Sequence, residues 1–447
     1  MTRWLTVMVF LIVIGGGIKL GSMLVFSEGL VSKYLYNAIE QSGALVSGSM
    51  EEAYEFLGAK PPGPEDRMNP AVRETRVGIN VMARDKVQDG YTLYSPFFFG
   101  FPIRLTDMHG VTVHEWTLPE DAYTGERLDN FVLEESPQPM VSKAHVYPNG
   151  DLLTVIHHGR LVEPWGYSLA RIDRDSNLVW KYLKQVHHGF DIAPDGRIAA
   201  MVTQERNEAR TGYEWLTGPF QDDFIVILSP EGEELQVISV LDAIRDSDWS
   251  ALLMYADSRP PKGDLLHLNS VRFLSATQAA SLPDADEGDL LISLRNLSVV
   301  AVLDVDERTI KWAVRGPWYM QHDPQILDNG NLLVFDNRGD MLRGGASRVL
   351  EVDPHTLAIE WRYPNGVDDP FYTLICGSVE RLKNGNTLIS ESNNGRIFEV
   401  TPQGEIVWDY AIPERFVDEF DRLIAKAWHA QRLDRDKLVF LDEAAAQ

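Results

Sequence analysis

Three histidines occupy matching places in the chain. His188 lies eight residues before Gly196, and His322 lies eight before Gly330. His267 aligns with them through its strand: His188-Gly-Phe-Asp-Ile192, His267-Leu-Asn-Ser-Val271 and His322-Asp-Pro-Gln-Ile326. Histidine accounts for 11 of 447 residues, so three matches are not idle composition. The same place holds Ser142 and Gly377 elsewhere, so histidine is not a structural constant of that position. Seven residues after the turn glycines sit His157, Thr203, Arg295, Asn337 and Ser392. In an antiparallel hairpin the two sets fall at the same end. If the strands surround an axis, His188, His267, His322 and Arg295 converge on one mouth of a channel.

Several imidazoles on an axis can ligate iron or zinc, with carboxylates behind them. A permanent guanidinium in the same ring repels a cation and instead clamps tetrahedral oxyanions. A neutral imidazole beside that clamp can attack an electrophilic centre while its neighbours stabilise charge. The set therefore reads as oxyanion group transfer with a histidine nucleophile, calling for no metal and no cofactor. Any one of these histidines alone is more often a strand-end hydrogen-bonding group; the aligned set reverses that weighting. Asp323 is either an imidazole-orienting group or an exposed turn acid, and Asp191, Asp195 and Asp328 read as turn residues. Cys376 reads as a small buried residue rather than a nucleophile. Trp318 and Tyr319 precede His322 and offer stacking surfaces for an aromatic donor.

The elements that must position these residues recur from about residue 85. Asx-Gly or Glu-Gly turns stand at 89–90, 149–150, 195–196, 287–288, 329–330 and 384–385, each followed by a short β run. Asn-Gly and Asp-Gly between apolar runs mark tight hairpins, because both central residues need positive φ. Units end near Trp116, Trp180, Trp312, Trp361 and Trp408. Six copies of a four-strand unit predict an all-β, six-bladed propeller over 85–447. The longest gap, 92 residues from Gly196 to Gly288, reads as one blade with insertions. Phe416, Val417, Phe420, Leu423, Ile424 and Trp428 keep helical spacing and predict a C-terminal helix, with Lys437–Leu441 as the closing strand.

Trp4 to Phe26 is an apolar run of 23 residues interrupted only by the charge of Lys19. At about 1.5 Å per residue it spans a hydrocarbon core of about 30 Å. Residues 1–28 are thus expected to be an uncleaved inner-membrane anchor through residues 4–26, the alternative being a signal peptide with its apolar part at Trp4 to Ile14. Arg3 supplies a positive-inside signal and places the propeller on the periplasmic side. Residues 29–84 read as a helical segment and a linker broken by Lys60-Pro61-Pro62-Gly63-Pro64. Lys plus Arg is 41 and Asp plus Glu is 66, so the net charge is −25. Such a chain repels phosphate backbones, and nucleic-acid binding is excluded. The lone Cys376 allows no intrachain disulfide.

Four ordered segments, His187-His188-Gly-Phe-Asp191, Leu266-His267-Leu-Asn269-Ser270, Ile292-Ser-Leu-Arg295-Asn296 and Gln321-His322-Asp with the following Asn329-to-Asn337 run, resemble the bacterial arylsulfate sulfotransferases. The resemblance spans roughly 85–440. It implies a six-bladed periplasmic enzyme that moves a sulfuryl group from an aryl sulfate ester to a phenol without a nucleotide donor. It also implies transient sulfation of His322, with His188, His267 and Arg295 holding the sulfuryl oxygens and Asn269 lining the pocket. His187, Asn337 and Trp318 are the further candidate substrate contacts. The chain departs from well-known members in its expected anchor, its short helical segment in place of an N-terminal β domain, and its missing paired cysteines. Acceptors other than phenols, such as a glycan, stay open, as does a protein partner or a second copy. Two other classes stand beside this one: a catalytically silent, membrane-tethered binding propeller, and a histidine-ligated metal enzyme or quinoprotein.

Overall fold

The computed structural model describes residues 77–97, 100–128, 139–157, 166–216, 219–255, 263–339, 347–365, 371–373, 375–417 and 423–441. The turns at Gly150, Gly196, Gly288, Gly330 and Gly385 join antiparallel partners, whereas the one at Gly90 links an outer strand of one sheet to the next sheet; all six glycines have positive φ. The strands between them form six four-stranded antiparallel sheets, the blades of a propeller. Blades 2 to 6 begin at Met140, Val186, Leu268, His322 and Ser378 and each follows the chain outward strand by strand. Blade 1 is composite: Tyr91–Pro96, Ile103–Thr106 and Thr112–Trp116 receive Ala427–Leu433 as their innermost strand. Blade 6 carries an extra outer strand, Gly78–Met82, paired with Ile406–Ala411.

Sheets stacked face to face explain why middle strands read as continuous apolar runs. Leu152–His157, Leu290–Leu294 and Val299–Leu303 are buried at every position, whereas the outer strand Leu178–Tyr182 is buried only at Tyr182. The repeated tryptophans staple one blade to the next. Trp116 donates its indole N–H to the Gly150 carbonyl (2.9 Å), Trp180 to Pro230 (3.1 Å), Trp361 to Pro402 (2.7 Å) and Trp408 to Met108 (3.0 Å). In each case the acceptor sits in a hairpin turn of the neighbouring sheet, so one side chain buries apolar area and satisfies its polar atom together. Between Gly196 and Gly288 lie the rest of blade 3, a helix at Val240–Arg245 capped by Ser239, and the start of blade 4.

The chain end departs from the helix its spacing predicts. Phe416–Val417 and Leu423–Ile424 pair as short strands, and Trp428 lies inside the strand Ala427–Leu433. Pairing with Tyr91–Pro96 overrides the helical periodicity, because that edge would otherwise stay open. Lys437–Leu441 is not the closing strand either: it leaves a 3₁₀ turn at Arg435–Lys437, and Phe440 packs against Trp116 and His114. The expected anchor, helical segment and linker fall largely on 1–76, outside the described residues. Among the described residues no helix is long and apolar enough to cross a membrane.

Candidate active site

The six innermost strands share one end, and the aligned residues gather there. Near that end their pairing with the next strand slips, between Ala200 and Val202 in blade 3, Leu268 and Ser270 in blade 4, and His322 and Gln325 in blade 5. His188 (φ 55°), His267 (φ 52°) and Asp323 (φ 50°) take left-handed backbone conformations at these slips. Bulges of this kind re-aim side chains, and such backbone collects at functional sites.

His188 and His267 meet edge to face, with ring centroids 4.9 Å apart. His187 lies beside them, its Nδ1 2.7 Å from His188 Nδ1, so one of the two donates and the other accepts. The His188 backbone N–H donates to His157 Nε2 (3.1 Å). His157 and His188 both pack on Trp428, at 5.0 and 6.0 Å. Trp428 in turn touches Phe97 at 4.9 Å, and the buried Lys426 ammonium lies 4.0 Å over the Phe97 ring. Blade 1 therefore lines the site with an aromatic wall and a cation.

His322 is gripped at both ring nitrogens. Asn337 spends its amide N–H groups on the Thr373 and Cys376 carbonyls (2.8 and 2.7 Å), which leaves Oδ1 as the acceptor 2.7 Å from His322 Nδ1. The proton of His322 thus sits on Nδ1 and the lone pair on Nε2. The Cys376 backbone N–H points at that lone pair from 3.2 Å. Cys376 (φ 66°) and Gly377 (φ 102°) form the turn that brings the amide there; a Cβ on Gly377 would meet the Phe335 ring at 2.6 Å. Burial pushes the Cys376 thiol up, away from the thiolate. Burial, reinforced by the charge of Arg295, lowers His322 to about 3, so its ring is neutral.

Arg295 opens a short 3₁₀ turn at the end of the second strand of blade 4. Its guanidinium donates to Asn296 Oδ1 (3.0 Å), and its backbone N–H donates to the His267 carbonyl (3.2 Å). His267 Nδ1 is 2.5 Å from Asp264 Oδ2. Burial lowers His267 despite the Asp264 carboxylate beside it, and Arg295 lowers it further. Burial alone would raise Asp264, but His267 and Arg295 bring it below the usual carboxylate range. Asn269 donates its amide to the Gln321 carbonyl (2.8 Å), while its buried Oδ1 has no hydrogen-bond partner among the described residues.

Further along the innermost strands each blade contributes a polar residue to a second group: Lys143, Asp191, Arg272, Asp323, Glu380 and His429. Arg272 pairs with Asp323 at 2.6 Å, and the other carboxylate oxygen of Asp323 accepts the Val379 N–H (3.0 Å). Asp191 accepts the Phe273 N–H (2.8 Å), and Glu380, pushed up to about 7 by burial, accepts the Arg432 N–H. Alternating charge with hydrogen bonds is what lets ionic groups stay buried. Asp323 and Asp191 are therefore cross-blade ties; neither orients an imidazole nor caps a turn. Among the described residues no His, Cys, Asp and Glu group is arranged to hold a metal ion.

The structure thus brings together His187, His188, His267, His322, Arg295, Asn269 and Asn337. Trp318 is not among them. It packs in the core with Leu291, Val300 and Val334, its indole N–H on the Ser298 carbonyl, and Tyr319 is the exposed member of the pair. Asp264, Phe97, Lys426, Trp428 and the Cys376 backbone were missed. Phe97 does sit seven residues after Gly90, but as an apolar residue it carries no polar signature. Trp428 belongs to an innermost strand with no turn glycine after it, and Lys426 stands just ahead of that strand, so there was nothing to count from.

At this end of the propeller, buried imidazoles whose pKa values burial lowers gather around the Arg295 guanidinium. The Arylsulfotransferase (ASST) family model matches residues 143–412, more than half of the chain. The chain belongs to that family, and the match supports an arylsulfotransferase. No curated protein matches it. Solved structures similar to it include a protein of unknown function from Bacteroides caccae, 13% identical, covering 76% of this chain and 98% of that one with a TM-score of 0.44. The WD40 β-propeller domain of Doa1 is 10% identical, with 79% and 96% covered and a TM-score of 0.41. A catalytically inactive virginiamycin B lyase from Staphylococcus aureus, solved with quinupristin, is 12% identical, with 62% and 71% covered and a TM-score of 0.34. Likenesses this distant carry no argument about site or activity.

Proposed function

We propose that this chain moves the sulfuryl group of an aryl sulfate ester to a phenolic or other hydroxyl acceptor through a sulfohistidine at His322. The observation that carries this is the fixed tautomer of His322, whose lone pair lies on Nε2 in a ring kept neutral beside Arg295. Nε2 attacks sulfur, the bond from sulfur to the aryl oxygen breaks, and the phenolate leaves with its electron pair. The incoming sulfur displaces the one weak bond from the Cys376 N–H. Arg295 and the His188 ring take the charge on the sulfuryl oxygens, and Phe97 and Trp428 offer faces to the aryl ring. A second hydroxyl compound then attacks the same sulfur and returns the electron pair to Nε2, so turnover is ping-pong.

Trp4 to Phe26 would tether the enzyme to the inner membrane with the propeller in the periplasm, as its length and the preceding Arg3 support. A phosphatase fused after residue 60 should be active, and a cytoplasmic reporter there silent; the reverse pattern would overturn the placement. For the chemistry, 4-nitrophenyl sulfate plus phenol should release nitrophenol and leave a labelled protein. His322→Asn should abolish both, while Arg295→Lys should slow turnover by about 10²-fold, losing the fork but not the charge. A label persisting in His322→Asn removes His322 as the nucleophile. A wild type without turnover or label on several aryl sulfates leaves a binding propeller instead.

A further inference from the structure

We propose that Asp264 makes His267 the group that moves the proton in this reaction, while His322 makes and breaks the bond to sulfur. The proposal deepens the sulfotransfer reading and rests on it. It comes from a difference in partners. His322 has a neutral amide oxygen on Nδ1 and a backbone N–H at Nε2, and a positive ring would lose the second. His188 has another imidazole on Nδ1. Among the described residues, Asp264 is the one carboxylate within hydrogen-bond distance of these imidazoles, 2.5 Å from His267 Nδ1. The nearest rival, Asp223 Oδ1 to His187 Nε2, is 3.6 Å, too long for a hydrogen bond.

A carboxylate on Nδ1 fixes the ring and stabilises the imidazolium that appears when Nε2 takes a proton. Asp264 is held for this task. Its backbone carbonyl accepts the Asn296 amide (2.6 Å), and Asn296 Oδ1 accepts the Arg295 guanidinium. One short network therefore sets the proton carrier and the oxyanion clamp together. Facing the pair are Arg295 of the same blade, His187, His188 and Asp223 of blade 3, and His322 of blade 5. Arg295 opposes a second cation, and the bound sulfate ester, an anion between them, offsets that opposition.

The proton balance closes over the two half-reactions. In the first, His267 enters as the imidazolium, its Nε2 having taken a proton from solvent as the anionic ester binds; the bond from His322 Nε2 to sulfur forms, the bond from sulfur to the aryl oxygen breaks, and that Nε2 proton passes to the departing phenolate oxygen. In the second, neutral His267 Nε2 takes the acceptor's hydroxyl proton as that oxygen attacks sulfur and the bond from sulfur to Nε2 breaks. His267 ends as it began.

The test uses a series of aryl sulfates whose phenols range from 4-nitrophenol, which leaves without a proton, to unsubstituted phenol. Asp264→Asn should slow phenyl sulfate by about 10²-fold and 4-nitrophenyl sulfate by less than about 10-fold, with His322 still labelled. Asp264→Glu should recover part of the phenyl sulfate rate. Loss by the same factor for every donor, or no loss, overturns the proposal, since a merely structural carboxylate would not make the rate more sensitive to the leaving group. If Asp264→Asn does not fold, His267→Gln on the same donors must show the same steepening, and its failure to do so is equally fatal. A wild type that transfers from no donor and takes no label instead overturns the sulfotransfer reading underneath.

Discussion

Replacing Asn337 with Ala tests the grip on His322 directly. The Asn337 side chain makes three hydrogen bonds of 2.7 to 2.8 Å to described residues: it accepts from His322 Nδ1 and donates to the Thr373 and Cys376 carbonyls. Thr373 O keeps a second donor, the Ser347 hydroxyl at 3.0 Å, so the losses fall on His322 Nδ1 and Cys376 O. Two stranded buried groups at about 1–3 kcal/mol each predict a destabilisation of about 2–6 kcal/mol. The catalytic loss has two parts. One neutral hydrogen bond of about 1.4 kcal/mol biases the tautomer roughly tenfold. A ring no longer held in place, with the Cys376 turn shifted, costs up to about 10²-fold more. The nitrophenol burst from 4-nitrophenyl sulfate should therefore slow by about 10²- to 10³-fold at a temperature where melting shows the variant folded. Asn337→Asp keeps an acceptor for Nδ1 but brings a negative charge that favours the imidazolium. Its His322 should titrate well above the wild-type value of about 3, and its burst rate should fall as pH drops where wild type stays flat. A folded Asn337→Ala with an undiminished burst would refute the tautomer argument.

Buried neutral histidines should make the fold acid-labile. His157, His187, His322 and His429 are lowered to about 3, and His145 to about 4, burial being the main cause in each. The unfolded chain takes up protons near pH 6.5 while the folded one does not, so stability falls as pH drops below about 6.5, by up to roughly 1.4 kcal/mol per unit per group. Melting temperatures from pH 7.5 to 4.5 should decline steeply, and a flat profile would contradict the burial. Trp408→Phe deletes the blade 6 to blade 1 staple to Met108 and should cost about 1–3 kcal/mol in denaturant titrations, with the Met108 carbonyl left without its donor. Arg396 is 1% exposed and forks onto Asp409 at 2.8 and 3.0 Å with Glu391 at 3.4 Å; Arg396→Met should cost about 3–5 kcal/mol, and Asp409→Leu added to it should cost much less than additively.

Sequence reading reaches as far as periodicity and turn chemistry reach. Asx-Gly spacing located the blades, and counting from Gly196 and Gly330 placed His188 and His322 at one end. His267 aligned only through its strand, because Glu287-Gly288 follows a short helical insertion at Ala276–Ala279. The slips beside His188 and His322 were illegible, since a bulge leaves no mark in residue type. Asp264 is three residues from His267, but its role depends on a backbone turn that spacing does not specify. Trp318 was misplaced because an aromatic beside a candidate site residue reads alike whether it faces the channel or the core. Trp428 was misread for a tertiary reason: a strand completed by a partner more than three hundred residues away obeys that partner rather than its local period.

That long-range partner sets the order in which the enzyme can come into being. Tyr91–Pro96 is made more than three hundred residues before its mate Ala427–Leu433. The same late strand carries Trp428, and Lys426 stands just ahead of it. Five blades and every histidine of the site can therefore exist as polypeptide while the blade 1 wall is missing and the ring gapes. Loop-closure entropy over so large a span makes this a slow pairing. Activity should appear as a step when the final strand docks. A chain stalled or clipped before Ala427 would hold His322 and Arg295 and still be inert.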